Sequence, residues 1–183
     1  MKQVRICRLA MLALCATAAL PAATYDYRVL ATNRTSTMEK EMNEAADAGY
    51  VFAGVMGGET AFGGKEVAVV MIKGGEDAGG KRTYKLLATS RTSTMQKEMQ
   101  QLGDEGFEYK GQTVFQSTFG GKEVSVILER SAATGDKPIT YKLLATSRTS
   151  TMQKELKEAG DAGFRLLGMT VASTAMGGSE LVC

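Results

Sequence analysis

The chain has 183 residues, 22 of them basic and 20 acidic, and no histidine. Without histidine it cannot assemble Ser-His-Asp or Cys-His catalysis or the usual zinc sites. A formal charge of +2 with both signs interspersed leaves no basic stripe to neutralise phosphates, which speaks against nucleic acid and against electrostatic membrane binding.

Residues 1–23 read as a secretory signal peptide. Lys2, Arg5 and Arg8 precede an apolar run from Leu9 to Leu20 that ends at Pro21-Ala22-Ala23. That run is too short for a bilayer-spanning helix, which takes about 20 residues. Lipoprotein processing would use Cys15, but the bulky Leu14 before it is the wrong neighbour. Removing three positive charges takes the net charge to 2 − 3 = −1, so the basicity belongs to the signal. Cys7 and Cys15 leave with it. Cys183 is then the only thiol, which excludes an internal disulfide and leaves open an intermolecular one. The expected location is periplasmic or extracellular.

From Tyr27 onward the sequence repeats with a period of 57 residues. Tyr27, Tyr84 and Tyr141 open the copies; Leu30-Ala31-Thr32 recurs as Leu87-Ala88-Thr89 and Leu144-Ala145-Thr146, and Arg34 to Met38 recurs at Arg91 to Met95 and Arg148 to Met152. The divisions are repeat 1 at 24–73, a linker at 74–83, repeat 2 at 84–130, a linker at 131–140 and repeat 3 at 141–183. The linkers, Gly-Gly-Glu-Asp-Ala-Gly-Gly and a run containing Gly135-Asp136-Lys137-Pro138, have flexible or turn-forming composition.

Each copy reads as strand, helix, strand, strand, giving an α+β chain of three tandem βαββ units, each a small sheet with one helix on one face. Tyr84 to Thr89 alternates as a strand. Ser36, Ser93 and Ser150, each followed three residues later by Glu39, Gln96 or Gln153, read as capping boxes at helix starts. Met38, Met42, Ala45 and Ala46 recur at helical spacing, and Gly49, Gly106 and Gly163 supply the residue that ends the helix left-handed. A second strand starts at Tyr50, Phe107 or Phe164. Gly63-Gly64, Gly120-Gly121 and Gly177-Gly178 mark a turn into the last strand.

That last strand, Val67 to Ile72, is apolar on both faces, so one helix cannot cover it. A unit of about 50 residues is also marginal alone. The three units are therefore expected to pack together. The third copy stops at Cys183, level with Val69 and Val126, so either its last strand is stunted or the sequence is an incomplete chain, and Ser179 stands where Lys65 and Lys122 do.

The opening Tyr84-Lys85-Leu86-Leu87, the helix end Leu102-Gly103-Asp104-Glu105-Gly106-Phe107-Glu108 and the strand end at Arg130 resemble the bacterial family of domains of unknown function numbered 4177. The resemblance covers each copy, not the signal or linkers. It implies a small strand-helix-strand-strand unit and no activity. Tyr50, Phe107 and Phe164 stand where that family often has tryptophan.

Candidate chemistry is sparse. Glu39, Glu41, Glu44 and Asp47, with Gln96, Gln101 and Gln153 elsewhere, read as a solvated helix face. Met38/Met42 and Met95/Met99 sit four apart, a spacing that suits copper(I) or a buried face. Leu156 in the third copy replaces a packing group but not a ligand, so the core reading stands. Phe62 to Glu66 and Phe119 to Glu123 lack the strand-loop-helix context of a phosphate loop and read as hairpins. The remaining candidate is the run Arg34, Thr35, Ser36, repeated as Arg91, Thr92, Ser93 and as Arg148, Thr149, Ser150. A guanidinium, hydroxyls and free helix amides there would make a weak anion site. The alternative is caps and turn formers, with the arginines paired to carboxylates such as Glu39. No catalytic residue, metal ligand or cofactor is assigned. The expectation is a non-enzymatic binding or structural module, multivalent through its repeats, with an unknown ligand or protein partner. The alternative is an exported enzyme acting on a small anionic substrate through carboxylates or the Arg-Thr-Ser-Thr helix starts.

Overall fold

The computed structural model describes residues 24–59, 65–75, 80–116, 122–132, 137–173 and 178–183. The expected signal peptide, the glycine turns expected at Gly63-Gly64 and Gly120-Gly121, Gly177 of the third, and the centres of both expected linkers lie outside the described residues.

The chain is α+β, with elements β1 (Asp26–Thr32), α1 (Thr35–Asp47), β2 (Val51–Glu59), β3 (Lys65–Lys73), β4 (Arg82–Thr89), α2 (Thr92–Asp104), β5 (Glu108–Gln116), β6 (Lys122–Ser131), β7 (Ala145–Thr146), α3 (Thr149–Asp161), β8 (Thr170–Ser173) and β9 (Ser179–Val182). They make three antiparallel sheets, ordered β1-β3-β2, β4-β6-β5 and β7-β9-β8, so the last strand of each set is central. β4 begins at Arg82, which draws two residues of the expected linker into the sheet. β2 and β5 each carry one extra residue against their partner, between Phe52 and Gly54 and between Tyr109 and Gly111.

The helices form where the spacing predicts. Met38, Met42 and Ala45 are buried along α1 and Met95 and Met99 along α2, inside the two main apolar clusters, so these methionines are core. Gly49, Gly106 and Gly163 follow the helices at φ 87°, 81° and 89°. At these angles any other residue would be strained.

The helix starts differ from the capping-box expectation. Thr35, Thr92 and Thr149 are already helical, Arg34, Arg91 and Arg148 hold the cap position with extended backbone, and no side chain caps the free amides. Ser36, Ser93 and Ser150 therefore sit two residues past the cap position. The threonines before each start, Thr32, Thr89 and Thr146, accept instead from the Arg34, Arg91 and Arg148 amides at 3.2, 3.1 and 3.3 Å. The Glu39 and Gln96 side chains that would complete the boxes are committed elsewhere, as described below.

The two-faced strand finds cover most fully in the middle of the chain. Val124 to Glu129 of β6 are all buried. Val124, Val126 and Leu128 join Met95 and Met99 of α2, while Ile127 joins Tyr84, Leu86 and the α1 methionines. The first sheet is covered on one face only: Val67, Val69 and Met71 are buried under α1, and Ala68, Val70 and Ile72 are half-buried.

The third sheet is smaller than its sequence predicts. A strand expected over Tyr141 to Thr146 is reduced to β7, and one expected from Phe164 begins only at Thr170. β9 pairs Val182 with Ala145 and with Thr170, and Cys183 exchanges backbone bonds with Leu144 at 2.8 and 2.9 Å. Among the described residues, Tyr141 to Leu143 and Phe164 to Met169 pair with no central strand, so ladder geometry is lost there.

Candidate functional site

Polar side chains concentrate where one strand-helix-strand-strand segment meets the next. α1 lies against the free edge of β4, and α2 against the matching residues Tyr141 to Leu143 of the third segment. From α1, Asn43 grips one residue of β4: its Nδ2 donates to the Tyr84 carbonyl at 3.0 Å and its Oδ1 accepts the Tyr84 N–H at 2.9 Å. One turn earlier, Glu39 accepts the Leu86 N–H at 3.0 Å and pairs with Lys85 at 3.0 Å. α2 repeats this with amides. Gln100 accepts from the Tyr141 N–H at 3.0 Å, and Gln96 donates to the Tyr141 carbonyl at 2.9 Å and accepts from the Leu143 N–H at 2.6 Å. A strand edge that would otherwise expose unpaired N–H and C=O groups is thus closed by helix side chains.

The opening tyrosines lock the same junctions from inside. Tyr84 is fully buried; its hydroxyl accepts the Phe52 N–H at 2.9 Å and donates to Glu129 at 2.5 Å. Tyr141 accepts the Tyr109 N–H at 2.7 Å and donates to the Phe107 carbonyl at 2.8 Å. Burial pushes the Tyr84 phenol up, helped by its bond to Glu129. Burial pushes Tyr141 and Tyr109 up to about 12. These hydroxyls stay protonated and serve as fixed donors.

The second segment also holds a buried charge cluster. Glu129 lies 3.6 Å from Arg82 and 3.3 Å from Lys110, and Lys110 also reaches Glu108 at 3.5 Å. With Tyr84 and both cations around it, the carboxylate is matched rather than poised, an arrangement that holds strands together.

The Arg-Thr-Ser runs lie on the surface. Arg34, Arg91 and Arg148 and Ser36, Ser93 and Ser150 are exposed, as are Thr92 and Thr149, while Thr35 is half-exposed. Among the described residues no hydrogen bond, ion pair or ring contact joins one run to another, and Glu39 pairs with Lys85 rather than with arginine. The expected solvated role of Glu39 and Gln96 is therefore corrected: both bind the next strand. The signal for it was present in side chains with an acceptor oxygen four apart at 39/43 and 96/100, on the face beside the methionines.

A cavity of about 430 Å³ opens between the second and third segments. Its walls include Tyr141 to Leu144 on one side and Phe164 to Gly168 on the other, with Leu156 and Ala159 of α3 and the Cys183 thiol. Burial pushes that thiol up. Lys142 and residues 165–168 make no backbone hydrogen bond with the described residues. In the first two segments the corresponding space is filled by the central strand, at Val70 to Lys73 and Ile127 to Arg130.

Among the described residues no group of His, Cys, Asp or Glu could hold a metal, and no helix is long and apolar enough to cross a membrane. No family model, curated protein or solved structure matches the chain.

Proposed function

We propose that the chain is an exported, non-enzymatic binding module, a tandem array of three βαββ units whose third unit accepts an extended apolar peptide along its central strand. The leader-like charges at Lys2, Arg5 and Arg8 and the 57-residue period support export and repetition. The same period, with strand-helix-strand-strand order in each copy, supports kinship with the domains of unknown function numbered 4177.

One observation carries the reading: the cavity between Tyr141–Leu144 and Phe164–Gly168, apolar along its walls and edged by backbone groups without partners. Its volume falls within the roughly 300–1,000 Å³ of binding pockets. An incoming strand would satisfy the Lys142 backbone while placing alternate side chains toward α3 and toward the second segment, the mode of recognition in which a peptide completes a sheet.

The test uses a fluorescent peptide carrying this chain's own residues 124–131, whose inner part fills the corresponding space in the second segment. Saturable binding is expected, with slower alkylation of Cys183. N-methylation of alternate peptide amides should weaken it at least tenfold, because the bonds are to backbone. A chain extended after Cys183 by Ile-Leu-Glu-Arg should melt higher and lose peptide binding. Absence of saturable binding up to about 1 mM overturns the reading.

A further inference from the structure

The two ends of the molecule carry the separated halves of the junction that is made twice inside it. At the first segment, Tyr27 and Val29 occupy the places of Tyr84 and Leu86, yet they are 60 % and 68 % exposed where Tyr84 is 0 %. The edge of β1 that corresponds to the Asn43- and Glu39-bound edge of β4 has no helix beside it among the described residues. On the same face, Val70 and Ile72 pair with Val29 and Tyr27 across the strands and are only half-buried.

The third segment holds the complement. Gln153 of α3 stands where Glu39 and Gln96 receive the next strand, and it is exposed. The Phe52 and Tyr109 amides donate to the tyrosine hydroxyl of the following segment; the Leu166 amide, at the same place, has no partner among the described residues, and its side chain is 53 % exposed.

Glycines record the contact at both ends. A Cβ on Gly111 would meet Phe52 and Val55 at 3.1 Å, and one on Gly168 would run into the Tyr109 hydroxyl; one on Gly54, the first of the series, meets nothing within 4 Å. In α2 a Cβ on Gly103 would collide with the Ile139 carbonyl and come 2.9 Å from the Tyr141 ring, whereas in α3 a Cβ on Gly160 meets nothing. A glycine inside an exposed helix costs about 0.5–1 kcal/mol relative to alanine, and nothing among the described residues requires it at 160.

We infer that these ends dock on each other: α3 and Leu166 of one copy receive β1 of a second copy, seating Tyr27 as Tyr84 and Tyr141 are seated. Leu166 then lies over Gly54 of the second copy, as Phe52 lies over Gly111. One position departs from the inner junctions and does so with matched charge. Lys157 replaces Asn43 and Gln100, and Asp26, beside Tyr27, replaces the neutral Thr83 and Thr140. Lys157 leaves its exposed pairing with Asp161 for the Tyr27 carbonyl and Asp26. Head meets tail, a heterologous contact that leaves one head and one tail free, so copies add in line for as long as the rotation per copy does not close a ring.

Sedimentation of the full chain from about 1 μM to about 1 mM tests this. The average mass is expected to rise steadily with concentration. Val29→Lys blocks the head and Gly160→Lys the tail, both at exposed positions where folding tolerates them, and each variant alone should remain monomeric. Mixed, they should form a species of twice the monomer mass and stop there, since one intact head meets one intact tail. A monomer at about 1 mM, a dimer that does not grow, a single variant that still elongates, or a mixture that stays monomeric each overturns the inference.

Discussion

β6 and β3 carry the same two-faced apolar pattern and occupy the same central place in their sheets, yet β6 is buried throughout from Val124 to Glu129 while β3 keeps Ala68, Val70 and Ile72 half-open. The difference does not lie in the strands. It lies in what stands beside them: the second sheet has its own helix on one face and the first segment on the other, whereas α1 and the second segment share one face of the first sheet and leave Val70 and Ile72 half-open on the other. A strand apolar on both faces therefore predicts a neighbour, and burial follows where the chain supplies one.

Paired tyrosines give the largest test of that contrast. Tyr84→Ala should cost about 3–5 kcal/mol, the range for emptying a buried aromatic site, and should orphan the Phe52 amide and Glu129 besides. Tyr27→Ala, in the same register at the open end, should stay within about 0.5 kcal/mol. Urea unfolding of both variants at dilute concentration measures the gap. Equal losses would mean that the first sheet is covered after all.

Two glycines should respond with opposite signs. Gly103→Ala pushes a methyl group into the Ile139 carbonyl and the Tyr141 ring, and should destabilise by about 1–3 kcal/mol because backbone must move. Gly160→Ala meets open space and should stabilise the dilute protein by about 0.5–1 kcal/mol through helix propensity. Thermal melts of the pair decide whether the helix faces differ as their surroundings do.

Much of this was legible in the residues. The period, the element order, the methionine core face and the need for cover beyond one helix all follow from spacing and polarity. The helix starts were misread because a serine followed three residues later by Glu or Gln satisfies a local rule, while the competing partner of Glu39 is Leu86, 47 positions away. Glu129 gave no warning either, since its partners Arg82, Tyr84 and Lys110 come together only through the sheet. The third sheet is short because pairing is a property of two strands: Tyr141 to Leu143 match Tyr84 to Leu86 in composition and in their bonds to the preceding helix, but among the described residues no central strand lies along their other edge.

The junction tyrosines also set a pH dependence. Tyr109 and Tyr141 stay protonated to about 12 in the folded protein, against an ordinary value of 10.0. Between those values the unfolded chain has lost these protons and the folded chain has kept them, so unfolding releases protons and stability falls as pH rises from about 10 to about 12; below 10 the contribution is fully present. Urea midpoints across that window should decline, and Tyr141→Phe should flatten the decline while lowering stability at neutral pH through the lost bonds to Phe107 and Tyr109. A slope unchanged in Tyr141→Phe would place the titrating groups elsewhere.

The smallest effect concerns the centre of β6, where complete cover turns into a cost. Ser125 is 1 % exposed and its hydroxyl has no hydrogen-bond partner among the described residues, while the matching positions in β3 and β9 are Ala68 and Val182. In the half-open first sheet a hydroxyl at that place could reach water; between α2 and the first segment it cannot. A buried hydroxyl left unpaired costs about 1–3 kcal/mol, so Ser125→Ala, which removes the oxygen and little volume, should raise the urea midpoint by an amount near the lower end of that range without changing the slope. Ser125→Val offers the size found at Val182 but inside a closed interior, where extra methyl groups force neighbours apart, and should lose what Ser125→Ala gains. If Ser125→Ala instead lowers the midpoint, the hydroxyl is satisfied in solution, and the second sheet is less tightly enclosed on that face than Thr113 and Ile127 around it imply.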